Sequence, residues 1–371
     1  MSSSLPNSWV APPGYLDALA GVPMGESVRA AWSAAAGLAW SDPARLHHPG
    51  RTASLVLDQA RASLQASLAL ADADIFFTAS TASALTAIFE RLPHRVVVTG
   101  AVETQITLDT AALQASTVHV LPVTGTGAVD LSTLDPSWQP QLAVLQVANA
   151  EVGTVQPVED LSRQLAGVPM VCDATACLGR IVLPKSWSVL FASARDFGGP
   201  AGVTIVAARK SLGWSAPSAS ERGWLGGFPD IPAVAAAAIA AESLPAAWQA
   251  EASRAHQAIA DLRQRISDRI PDVDLVGDPE HRLPHVLTFS ALYCPGEALV
   301  SELDRAGIFV ASGSACTADT RRPSHVLAAM GALTGGNLRI SLPLGFDSQD
   351  VDRLAELLVD TIAKVRADVG Y

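Results

Sequence analysis

Cys316 stands in the run Ser312-Gly313-Ser314-Ala315-Cys316-Thr317. Small side chains there leave a sulfur accessible, and Gly313 permits unusual backbone angles. Thiol reactivity follows the thiolate fraction, and Arg321 and Arg322 come soon enough after Cys316 to favour that form. The plainer reading is a loop kept for packing, with a thiol that has no role. Asp196 directly follows Arg195. Burial would raise its pKa toward that of a general base; otherwise it is a paired or solvated carboxylate. Arg195 offers a fork to a phosphate or another anion, or else an ion pair to Asp196 or Glu103. Asp173 ends an apolar run, where a carboxylate either meets a cationic nitrogen or accepts backbone amides. Cys172 and Cys177 flank it as small hydrophobes, and Cys294 falls in a loop. The histidines show no zinc-ligand spacing, so no metal is expected.

These residues need elements to hold them. Short apolar runs at 74–78, 95–99, 118–123, 142–148, 169–173, 188–192 and 203–208 predict strands covered on both faces. Helical patterns alternate with them. Ser80 or Thr81 caps one through Ile88, Thr104 begins another, 159–165 is a short third, and 54–70 places Leu57, Leu64 and Leu68 on one face. This alternation predicts an α/β domain with a mainly parallel seven-stranded sheet. After Ala236 the pattern changes to a long helical region reaching Ile270. An α+β unit follows, with strands near 286–289, 308–310 and 338–341 and helices near 297–306, through Met330, and from Asp347 or Ser348 onward. The expected domains are therefore 15–240 and 241–371, with residues 1–14 packing on the smaller one.

Composition narrows the function. Nearly half the residues are hydrophobic (49%), 16% are charged, and the net charge is -11. Binding to a nucleic-acid backbone needs a basic face that this chain lacks. The apolar stretch at 231–241 is too short to span a bilayer. The polar, proline-rich N-terminus lacks a signal-peptide pattern, and cysteines without paired spacing fit a reducing compartment. A cytoplasmic protein is expected.

Several segments, in order, resemble landmarks of the cysteine desulfurases, a branch of the class V aminotransferases. Tyr15-Leu16-Asp17 with Pro23 resembles their opening motif, and Asp42 to His47 with Gly50-Arg51 resembles an N-P-S-S-x-H…G-R loop. Asn149 to Pro157 resembles N-N-E-x-G-T-x-Q-P, and Asp173-Ala174-Thr175 stands at D-A-x-Q. The run 311–316, then Pro323 to Leu327 with Met330-Gly331, resembles the loop of the catalytic cysteine. Arg339-Ile340-Ser341 resembles an R-x-S strand.

The resemblance implies the fold type I of pyridoxal phosphate (PLP) dependent transferases: a large α/β domain plus a small C-terminal α+β domain. It implies PLP as cofactor, with Asp173, Asn149, Ser193, Arg195 and Thr81 at the cofactor positions. It implies Arg339 as a grip on the substrate carboxylate, with a structural ion pair as the alternative, and Cys316 as the persulfide-forming nucleophile. It also implies a homodimer, to which the loop of Asp42 to Arg51 contributes, and a sulfur-acceptor protein as partner. His47 and His325 lie in loops of this kind, with dimer-contact and catalytic readings both open.

One departure matters most. The family lysine sits in S-x-H-K-x-x-G-P-x-G, and here the run is Ser193-Ala194-Arg195-Asp196-Phe197-Gly198-Gly199-Pro200-Ala201-Gly202. Asp196 takes the lysine's place and cannot form a Schiff base. The chain's lysines, Lys185, Lys210 and Lys364, lie elsewhere. The ring-stacking histidine is Thr104, both phosphate-turn glycines are replaced within 78–83, and Ala176 and Ala150 replace a glutamine and an asparagine. The expected function is sulfur handling through a Cys316 persulfide without ordinary Schiff-base catalysis. PLP, if held, is then held noncovalently. The alternative is an inactive homologue acting as a partner or regulatory subunit.

Overall fold

The computed structural model describes residues 11–214, 223–244, 248–313 and 323–371. All seven apolar runs expected as strands in the first part of the chain form one sheet. They are β1 (Ala73–Thr78), β2 (Val96–Gly100), β3 (Thr117–Leu121), β4 (Leu142–Gln146), β5 (Met170–Asp173), β6 (Val189–Ser193) and β7 (Thr204–Arg209). Their order is β1-β7-β6-β5-β4-β2-β3. Only β7 runs against the others, pairing antiparallel with both β1 and β6. The remaining pairs are parallel.

The continuous apolar runs follow from burial on both faces. Along β4, Ala143 and Leu145 belong to one core, while Leu142 and Val144 belong to the other. Along β7, Ile205 and Ala207 divide from Val206 and Ala208 in the same way. Helices α1 (Glu26–Leu38), α2 (His48–Ser67) and α6 (Ile231–Glu242) pack together on the first core. Helices α3 (Thr81–Phe89) and α4 (Gln105–Gln114) cover the second. A short helix, α5 (Val158–Gln164), leads into β5.

Caps set these helix starts. Ser80 accepts the Ser83 N–H at 3.1 Å, and Thr104 likewise caps α4. Helix α2 begins six residues before the expected Ser54, because the His47 ring nitrogen caps it and Pro49 fits its first turn. Helix α1 carries no side-chain cap signal and was not legible in the sequence.

The second unit has its own core and a three-stranded antiparallel sheet ordered β10-β9-β8. Its strands are β8 (Val273–Val276), β9 (Val286–Ala291) and β10 (Asn337–Ser341), and its helices are α7 (Trp248–Arg269), α8 (Gly296–Arg305), α9 (His325–Met330) and α10 (Ser348–Asp368). The expected strand at 308–310 is absent. Phe309 makes a single bridge to Tyr15, and Ala311 one to Arg339. The long helical region to Ile270 resolves into α6, packed on the large core, and α7, packed on the small one. The boundary expected at 240/241 thus falls in the last turn of α6, and we propose the division between α6 and α7. Leu16 is buried in the small core; residues 1–10 lie outside the described residues. No helix among the described residues is long and apolar enough to cross a membrane.

Candidate functional site

The ends of β5 and β6 lie side by side because the two strands are parallel. Asp173 is the last residue of β5 and Asp196 comes three residues after the end of β6. Both reach one cavity of about 360 Å³ on the rim of the sheet. Open α/β sheets bind ligands at such rims. A tight turn sets the position of Asp196. Residues 194–197 form one 3-10 turn, closed by Gly198 at φ 84. A Cβ on Gly199 would come within 2.9 Å of Ala194, so this turn admits glycine there.

The Asp196 side chain is only 5% exposed. Its Oδ1 lies 3.7 Å from Arg195 Nη2, and its Oδ2 is buried without a hydrogen-bond partner. Burial pushes its carboxyl above the usual range, while Arg195 and Ser193 pull the other way. Arg195 is half exposed, so the pair is a weak one. Glu103 is not its partner. Glu103 is fully buried behind the cavity, where Oε1 accepts the Gln146 N–H at 2.9 Å and Oε2 has no partner. Burial drives the Glu103 carboxyl well above its usual range, which favours the neutral acid. Asp173 Oδ1 accepts the Thr175 N–H at 2.8 Å. Burial raises the Asp173 carboxyl to about 6, with the charge of Asp196 adding to the rise.

Thr81 and Ser193 also line the cavity, beside Ser80, Thr175 and Thr204. Those three were not singled out from the sequence. Ser80 and Thr175 were hidden by their ordinary roles as a cap and a strand-end residue. Asn149 does not reach the cavity. Its Nδ2 donates to the Val102 carbonyl at 2.9 Å, and its Oδ1 accepts from the backbone of Glu151 and Val152. The side chain is consumed in holding a turn, which accounts for an asparagine there without a ligand. Arg339 is also outside the cavity lining and pairs with Asp17 at 3.0 Å. Its Nε is buried without a partner.

Cys316 lies outside the described residues. The chain on either side of it is well held. Ser312 Oγ lies 3.2 Å from Asn337 Oδ1, which also accepts the Gly313 N–H. Beyond the loop, His325 Nε2 meets the Glu103 carbonyl at 2.8 Å, so that histidine supports structure. Cys172, Cys177 and Cys294 are free and buried. Burial raises the thiols of Cys172 and Cys177, leaving them unreactive. Cys294 lies in a loop, as expected, and is 6% exposed. None of the three lysines lines the cavity. Lys210 donates to the Ala71 carbonyl, Lys364 pairs with Glu302, and Lys185 lies in a separate groove beside Trp187. Among the described residues, no group of three or more His, Cys, Asp or Glu side chains could hold a metal ion.

A mainly parallel seven-stranded sheet with its cavity at the β5 and β6 ends, joined to a small α+β unit, defines an α/β protein of PLP-dependent transferase fold type I. The chain belongs to the class V aminotransferase family, whose model matches residues 15–354. Within that family it is similar to cysteine desulfurases. The cysteine desulfurase of Cereibacter sphaeroides is 32% identical over 355 residues, covering 88% of this chain and 90% of its own. An IscS-like cysteine desulfurase of Mycobacterium tuberculosis is 32% identical over 382 residues, covering 95% and 97%. A solved NifS-like protein superposes with a TM-score of 0.82 at 23% identity, covering 95% of this chain and all of its own, which speaks to the fold.

Proposed function

We propose that this chain handles sulfur as a persulfide on Cys316, on a cysteine desulfurase framework that does not use Schiff-base chemistry. The carboxylate at 196 carries the reading. Asp196 stands at the lysine position of the matched S-x-x-D-x-x-G-P frame, lines the cavity, and is 5% exposed. The family depends on PLP, but the residues here do not fit a cofactor bound through an imine. A carboxylate has no amine to condense with an aldehyde, and no lysine lines the cavity.

What remains is thiol chemistry. The Cys316 thiolate attacks the outer sulfur of a hydropersulfide donor, R–S–SH. The donor's S–S bond breaks, R–S⁻ leaves with the electron pair, and Cys316 becomes Cys–S–SH. A thiolate on an acceptor protein then attacks that outer sulfur and restores the Cys316 thiolate. Each step is a thiol exchange with no net oxidation. The described chain on either side of Cys316 is anchored, Gly313 donating to Asn337 and His325 meeting the Glu103 carbonyl.

The test is to incubate the protein with a hydropersulfide donor and map sulfur addition by mass spectrometry, with Cys316→Ser as control. Cys316 is expected to gain one sulfur faster than Cys172, Cys177 or Cys294 and to pass it to an acceptor thiol. With free cysteine, PLP and a reductant, sulfide release is expected to stay far below that of a lysine-containing relative. Equal labelling of all four cysteines, or none at Cys316, would favour the inactive-partner reading. Desulfurase turnover at a relative's rate would refute the loss of Schiff-base chemistry.

A further inference from the structure

Arg180 is held where its charge has no match. Gly179, at φ 72, turns the chain just before it, and a Cβ on that glycine would come within 2.8 Å of Leu244. Arg180 itself is 7% exposed. Its guanidinium makes no hydrogen bond and no ion pair among the described residues. Glu251 is the carboxylate that acts on it, from beyond ion-pair distance. That carboxylate is already engaged. Arg254 holds it at 2.9 and 3.3 Å, and the Gly345 N–H reaches it at 2.9 Å. His285, 1% exposed and near Arg180, is kept neutral by burial and by the charge of the arginine. Arg180, Arg254 and Glu251 together therefore carry one net positive charge. Burying a charge without compensation is costly.

Arg180 opens into a cavity of about 10 Å³, room for a single guest of about the size of a water. The cavity lies where three parts of the chain meet. Val22 comes from the N-terminal segment, Phe197 from the large unit, and Pro343 and Leu344 from the small one. These walls are apolar. Asp196 is the other polar side chain on the wall. Burial holds its carboxyl above the usual range, and the cation beside it is Arg195, at 3.7 Å. It is therefore poorly suited to balance Arg180. A water in the cavity satisfies a donor and leaves the charge. A multiply charged anion finds a single cation there. A small anion with one charge matches both the space and the guanidinium.

We propose that this cavity is a structural site for a monovalent anion of halide size, held by Arg180 at the junction of the two units. The anion supplies the charge that the packed side chains do not, and so favours the small unit seated on the large one. The inference uses neither Cys316 nor the missing lysine, and a failed persulfide test leaves it standing.

The test is thermal unfolding of the full chain in sodium gluconate, whose anion is too large for the cavity, with chloride or bromide replacing gluconate at constant ionic strength. Tm is expected to rise saturably, by about 3 °C at roughly a hundredfold excess over half-saturation. Arg180→Gln, neutral and nearly as long, is expected to abolish the rise. Asp196→Asn is expected to keep it and to move half-saturation to lower halide, because an amide replaces a carboxyl on the cavity wall. Crystals of the unmodified protein grown in sodium bromide are expected to show an anomalous peak against the Arg180 guanidinium. That readout decides the matter even if Arg180→Gln fails to fold. A Tm indifferent to halide, or one that rises equally in Arg180→Gln, would overturn the proposal. So would a water without anomalous signal beside Arg180. Halide dependence that appears only in Asp196→Asn would overturn it too, by showing Asp196 to be the counter-charge.

Discussion

Arg339 and Asp17, 322 positions apart in the chain, meet at 3.0 Å between Nη2 and Oδ1, with side chains 10% and 17% exposed. Asp17 is fixed from both sides. Its backbone bridges Ser341, and the neighbouring Tyr15 hydroxyl donates to its carbonyl at 2.8 Å. The arginine that the family resemblance casts as a substrate grip is thus occupied within the chain. A substrate carboxylate would have to displace Asp17 to take its place.

Removing one partner of such a pair strands the other charge. Asp17→Ala is expected to lower stability by roughly 1–3 kcal/mol, the buried-pair cost discounted for partial exposure. The double variant Asp17→Leu with Arg339→Met is expected to recover most of that loss, since two apolar groups leave no charge unpaired. Urea unfolding measures both. A single-variant loss below ~0.5 kcal/mol would mean that the pair contributes nothing measurable.

Asp173 gives a pH dependence whose sign follows from burial. Its carboxyl is raised from the ordinary 3.8 to about 6, so the neutral acid is the form the fold favours. Its stabilising contribution is fully present below pH 4 and is lost as pH rises through about 6. The loss is at most roughly 3 kcal/mol. Asp173→Asn, neutral at every pH, is expected to be more stable relative to the unmodified protein at pH 7.5 than at pH 4.5. Thermal melts at the two values decide it; parallel curves would show that Asp173 titrates as it does in the unfolded chain. A bound cation reverses the trend by favouring the charged carboxylate.

A homodimer is the expected assembly. Trp32, Leu38, Trp40, Leu46 and Leu55 are exposed on α1, α2 and the connection between them. The Asp42 to Arg51 run begins in this connection and ends in the first turn of α2. Apolar side chains of this size, close together in the chain, suit an isologous interface. Light scattering at micromolar concentration is expected to give twice the mass of the 38.5 kDa chain. The pair Trp40→Glu and Leu46→Glu is expected to give a monomer with an unchanged circular dichroism spectrum. A monomer from the unmodified protein would count against the dimer.

Much of this molecule was legible in the sequence because its signals are local. A strand buried on both faces is a continuous apolar run wherever its neighbours lie, so all seven large-sheet strands could be read. Ser80, Thr104 and Asp347 accept N–H groups two or three residues ahead, and each marks a helix start. The glycines and proline around 198–200 mark the turn that carries Asp196. The tertiary fold decided whatever depends on distant partners. The strand order, with β7 alone reversed, arises from pairing across long loops that no periodicity records. Glu103 looks like any surface acid until β4 and the helices enclose it and push its proton on. Asn149 matched a motif, but the Val102 carbonyl, 47 residues away, takes up its amide. Arg339 met Asp17 only because the chain's beginning lies against β10. A side chain's type limits the chemistry it can perform; its partner, supplied by packing, determines which of those possibilities remains open.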